Sequence, residues 1–141
     1  MIRYMRFDIE SFIRDSKQWD SEIKDIKAEL EAISELKAIE QSPTHSSNIS
    51  DPTSNTASEY EKLKTKLDRL ATYQAAFRYA FNRLSEAQKE VIELFFFSVG
   101  RKDKLVHEYS RKYALNTKAV YAERRKVLNL MRDIIEERYE L

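Results

Sequence analysis

Cysteine is absent from this chain, so disulfides and thiol catalysis are excluded, and the composition fits a reducing compartment. Glycine occurs once and proline twice in 141 residues. With so few breakers, long helices are favoured, since an interior Gly or Pro costs a helix roughly 1 or 3 kcal/mol. A single glycine also excludes a Gly-rich phosphate loop. Histidine occurs twice, at His45 and His107, with no clustered His/Asp/Glu spacing around either. No metal site and no cofactor are therefore expected. The serines of the middle segment have no partner base, and Glu136 and Glu137 point in different directions on one helix. No catalytic residue is expected, and the chain does not read as an enzyme. No apolar run approaches the ~20 residues that span a bilayer. Residues 1–6 carry no hydrophobic signal core, and a cytoplasmic location is expected.

Charge and periodicity are what the chain has in quantity. Charged residues make up 35% of it and hydrophobic residues 42%, enough for a core under a heavily charged surface. The net charge of +1 is unevenly spread. Residues 101–126 hold nine Lys or Arg against three acidic residues, a net +6 that leaves −5 on the rest. Such asymmetry concentrates any attraction for phosphate on one module.

The chain divides by pattern. Residues 1–41 read as one long helix, capped by Asp8 or Ser11. Trp19, Ile23, Ile26, Leu30 and Ile33 step by four and three along it. That seam wants a partner helix. Residues 42–58 are small and polar with both prolines, and read as a flexible linker. Ser58-x-x-Glu61 reads as a capping box opening a second long helix over 59–84, whose seam includes Tyr60, Leu63, Leu67, Leu70, Phe77 and Phe81. The two seams suit an antiparallel hairpin, or pairing between two chains as a homo-oligomer.

Residues 85–141 read as a separate module. Ser85-x-x-Gln88 is a second capping box, and Gly100 reads as the left-handed residue that closes the helix after it. Leu105, Val106, Tyr109 and Tyr113 form the inward face of the next helix. A tight turn, Ala114-Leu115-Asn116, then leads into a helix from Thr117 towards Tyr139, with Val120, Val127, Leu128, Met131, Ile134 and Ile135 as its buried stripe. Helix, three- or four-residue turn and helix with outward basic residues is the plan of a helix-turn-helix DNA reader. On that plan Arg101, Lys102, Lys104, Arg111 and Asn116 meet phosphates, and Thr117, Lys118, Tyr121, Ala122 and Arg125 face base edges. Arg124 lies nearer the buried side than Arg125.

Leu84-Ser85-Glu86, Gln88, Glu90-Val91-Ile92, Ala114-Leu115-Asn116, Ala119-Val120-Tyr121 and residues 124–128 resemble region four of housekeeping bacterial sigma factors. More closely, the chain resembles small phage and prophage transcriptional regulators of the RinA and ArpU type, which also carry a polar linker after an N-terminal helix. Ala114 stands where that turn commonly has glycine. The resemblance implies an all-α protein, with an N-terminal helical arm or hairpin and a sigma-region-four-like domain. It implies a sequence-specific DNA-binding regulator of a bacterial host cell, a late-gene activator that contacts RNA polymerase or a sigma factor. Two other readings stay open: a module that binds polymerase or a sigma factor without DNA, and a DNA-binding phage packaging component.

Overall fold

The computed structural model of the chain describes residues 8–40 and 50–140. Among them every regular element is helical: α1 (Ile9–Glu40), α2 (Ser50–Asn82), α3 (Glu86–Ile92), a π-helical turn (Glu93–Phe97), α4 (Lys102–Lys112) and α5 (Thr117–Arg138). The all-α reading therefore holds. No helix among the described residues is long and apolar enough to cross a membrane.

Asp8 starts α1. Its carboxylate accepts from the Ser11 amide at 3.2 Å and the Ser11 hydroxyl at 2.7 Å, which satisfies a donor the first turn cannot pair. Those bonds hold the Asp8 carboxyl below its usual range. The second helix begins earlier than expected. α2 starts at Ser50, so Ser58 lies inside it and does not cap it. Pro52 falls in the first turn, where its missing N–H costs nothing, so the helix extends through the polar stretch. Of the expected linker, residues 50–58 are helical and residues 42–49 lie outside the described part.

The chain forms two compact units. One comprises Gln18–Gln74, and the other residues 1–17 with 75–141. Within the first unit α1 and α2 run antiparallel. The rings of Trp19 and Tyr73 lie 5.9 Å apart, and the Gln74 amide donates to the Asp20 carboxylate. At the far end, Ile33 and Glu29 share a hollow with Glu59 and Leu63. Trp19, Ile26, Ile33 and Leu70 are buried, so the heptad seam packs within one chain. Leu36 is 53% exposed, where the seam drifts off the contact line.

The second unit is larger than the 85–141 segment expected. Ile9, Phe12 and Ile13 of α1 and Ala76 and Ala80 of α2 are buried in it, with Val91, Ile92, Val106, Val120, Val127 and Met131. Here α5 packs on α3 and α4, and the π-helical turn packs on both α3 and α4. Ser85 caps α3 as its spacing predicts. Its hydroxyl accepts from the Gln88 amide at 3.2 Å, and its own amide donates to Gln88 Oε1 at 2.9 Å.

Candidate functional site

The site is built around the junction of α4 and α5. Three backbone bonds close α4: Tyr113 to Tyr109, Ala114 to Arg111 at 3.4 Å, and Leu115 to Ser110 at 2.8 Å. The last two are the paired bonds of a Schellman ending. That ending needs a left-handed residue after the cap, and Ala114 takes it at φ 54°. A side chain there is strained, which is why glycine is the usual occupant. Asn116 opens α5, its side-chain oxygen accepting from the Ala119 amide at 2.7 Å.

Two polar ties hold α4 on α3. The Tyr109 hydroxyl donates to the Ala87 carbonyl at 3.2 Å, and Lys112 pairs with Glu90 at 2.6 Å. Hydrogen bonds from Lys112 and Tyr113 hold the Glu90 carboxyl below its usual range. Burial pushes the Tyr109 hydroxyl up to about 12, with Tyr113, Glu123 and Glu90 adding to the shift. The π-helical turn closes on a 2.6 Å bond from the Ser98 amide to the Glu93 carbonyl. It buries Leu94 and Phe96 and leaves Phe95 half-buried beside α5. Gly100 follows in the loop at φ 132°, two residues beyond the Ser98 cap. The helix is capped at Ser98 and is not closed by Gly100 as its sequence position suggests, but Gly100 still holds a backbone angle that side chains disfavour.

The ten residues expected to contact nucleic acid fall into three groups. Thr117, Lys118, Tyr121 and Arg125 are exposed and Ala122 is half-buried. Lys118, Tyr121, Ala122 and Arg125 stand at intervals of three, four and seven, so the structure brings them to one face of α5. The buried Val120, Val127 and Met131 lie on the other side. Lys118 and Arg125 have no hydrogen bond or ion pair among the described residues, so both heads are available. Tyr121 is 44% exposed and leans on Phe95, ring centroids 5.4 Å apart.

The second group is peripheral. Lys104 and Arg111 are exposed and have no side-chain partner among the described residues, and they stand seven residues apart on one face of α4. Arg101 is exposed but pairs with Asp103 at 3.1 Å. Asn116 spends its oxygen on the cap and keeps its amide nitrogen. The third group is Lys102 alone. Its ammonium donates to the Leu94 carbonyl at 2.9 Å, at the end of the π-helical turn where carbonyls lack amide partners. Desolvation, and then repulsion from Lys17, hold its pKa below the usual lysine value. One of the three N–H donors of the exposed Lys102 is thereby spent within the protein.

Sequence reasoning missed a hollow of about 490 Å³ beside the outward face of α5, lined by Asp8, Ile9, Glu10, Arg124, Arg125, Leu128, Asn129 and Arg132. Arg124 pairs with Glu10 at 3.0 Å and lies over Phe95 and Phe96, 5.3 and 5.4 Å from their ring centres. Asn129 and Arg132 were findable, because they continue the stripe four and seven residues past Arg125. The approach of Asp8 and Glu10 was not, since it depends on where α1 packs. Among the described residues no cluster of His, Asp or Glu can hold a metal ion. Comparison with known protein families, curated proteins and solved structures finds no match to this chain.

Proposed function

We propose that this chain is a sequence-specific DNA-binding transcriptional regulator, of phage or prophage type, in which α4 and α5 act as a helix-turn-helix. The observation that carries the reading is the outward stripe of the exposed Lys118, Tyr121 and Arg125 with the half-buried Ala122, on the first three turns of α5, directly after a Schellman turn and an Asn116 cap. A recognition helix needs that combination: a rigid start, an apolar back and unpaired polar heads in front. Arg125 forks onto a guanine edge, and Lys118 and Tyr121 flank it. Lys104 and Arg111, on the exposed face of α4, meet the phosphate backbone and set register. The net +6 of residues 101–126 draws the module to DNA. The likeness of residues 84–128 to region four of sigma factors supports the same assignment, and with it an activator that contacts RNA polymerase.

Selection of bound fragments from random duplex DNA, followed by titration at several salt concentrations, tests the proposal. The wild-type chain should bind a selected fragment far more tightly than a scrambled one. Lys104→Ala and Arg111→Ala should each weaken both duplexes and flatten the salt dependence by roughly one released counterion. Lys102→Ala should change that slope less, because one N–H of its ammonium is already held by the Leu94 carbonyl. Equal affinity for selected and scrambled duplexes at low salt would sink the proposal.

A further inference from the structure

A second basic site lies at the other end of α5. Arg83 follows the last turn of α2, and Arg138 ends α5. Both guanidinium carbons lie 4.4 Å from the centre of the Tyr79 ring. Arg138 also reaches the Tyr79 hydroxyl at 3.4 Å, and the Tyr139 ring stands edge-on to Tyr79, 6.1 Å away. With Ile134 and Glu137 these side chains line a hollow of about 350 Å³. Neither arginine forms an ion pair among the described residues, although Glu137 lines the same hollow.

We propose that Arg83 and Arg138, ordered on the Tyr79 ring, form a docking site for the carboxylates of an acidic segment on a protein partner. Contact with the ring restrains two long side chains that otherwise lose much rotamer freedom on capture. Arg138 spends N–H groups on the Tyr79 and Tyr139 hydroxyls, while its remaining N–H groups and those of Arg83 are left to grip a carboxylate. Two like charges held around one ring, with no counter-charge engaged, are relieved by an anion. Position separates this site from the proposed DNA face. Arg138 lies 13 residues beyond Arg125, about 20 Å along the helix axis. Ile134 gives the hollow an apolar wall, which suits the methylenes of an acidic side chain better than a phosphodiester.

The full chain is titrated with a fluorescent eight-residue peptide carrying four glutamates and with its all-glutamine counterpart. The wild type should bind the glutamate peptide at low salt and ignore the glutamine one. Arg83→Gln with Arg138→Gln should weaken binding at least tenfold. Lys104→Gln with Arg111→Gln removes equal charge elsewhere and should change it less than twofold. Tyr79→Leu should weaken binding several-fold while Tyr79→Phe keeps most of it, a pattern that bulk charge does not produce. If the double glutamine variant fails to fold by circular dichroism, Arg83→Lys with Arg138→Lys decides: charge persists, the forks are lost, and binding should still fall. Equal losses in both charge-removed variants, or no binding by the wild type, overturn the proposal. A matching loss of duplex DNA binding in the Arg83/Arg138 variants would assign the site to phosphate and also overturn it. The DNA titration of Arg125→Ala is independent, so failure of one proposal is distinguishable from failure of the other.

Discussion

Arg124 and Arg125 are neighbours in sequence and face different ways. Arg124 is gripped by Glu10 and lies over two phenylalanines, while Arg125 has no partner among the described residues. Their truncations should therefore separate. Arg125→Ala should lower specific DNA affinity by about 1–3 kcal/mol, the worth of a bidentate base contact, and leave the melting temperature alone. Arg124→Ala should lower stability by roughly 1 kcal/mol through lost pairing and packing. A thermal melt beside a DNA titration reads both, and identical effects would contradict the assignment. Ala114 offers a second test at this scale. Replacing it with glycine removes the left-handed strain at φ 54° and should raise stability by about 1 kcal/mol. Denaturant unfolding measures it, and a loss of stability would show that the methyl group packs usefully.

Helix-to-helix attachment is where pH enters. Tyr109 ties α4 to α3 through the Ala87 carbonyl, and its pKa is raised from 10.0 to about 12, chiefly by burial. The folded chain keeps this proton at pH values where the unfolded chain gives it up. The stability it contributes is full below pH 10 and is lost as pH rises towards 12. Tyr109→Phe should flatten the alkaline fall in stability, measured by urea unfolding at pH 9 and 11. An unchanged slope would mean that other groups carry it. Glu90 acts at the opposite end of the scale. Its pKa is depressed below the ordinary carboxyl value of 4.5, so the stability from its bond to Lys112 is present above pH 4.5 and is lost as pH falls through the folded value. Glu90→Gln should weaken this acid dependence.

At the scale of the whole molecule, the first turns of α1 belong to the same unit as α3, α4 and α5. Phe12 and Ile13 are almost fully buried there. A chain beginning at residue 59 retains α3 to α5 but lacks both residues. It should melt well below the full chain, since losing even one buried phenylalanine costs roughly 3–5 kcal/mol. A synthetic peptide of residues 8–17 should restore part of the loss. An equally stable fragment would show that the C-terminal residues form a sufficient core alone. The hairpin of the other unit makes a separate forecast. Ile26→Asp with Leu30→Asp should lower stability without changing mass in sedimentation, because the seam packs within one chain.

Much of this was legible in local signals. The Ser85 capping box, the Asn116 cap, the seam of Trp19, Ile26 and Ile33, and the stripe on α5 follow from side-chain chemistry at fixed helical spacings, which operate within a few residues of chain. Ala114 could be marked as a turn residue from its neighbours, although only the backbone bonds of the Schellman ending explain why it sits at positive φ. The early start of α2 was hidden because polar residues and proline suggest a linker, yet a first-turn proline breaks no bond. Tertiary structure alone decided the rest. It tied Lys102 to the Leu94 carbonyl, set Glu10 against Arg124, and gathered Arg83 and Arg138 around Tyr79. Each of these joins residues through packing between separate elements. A helical period specifies which face of a helix is apolar, but not which distant helix will cover it or which charge will arrive with that helix.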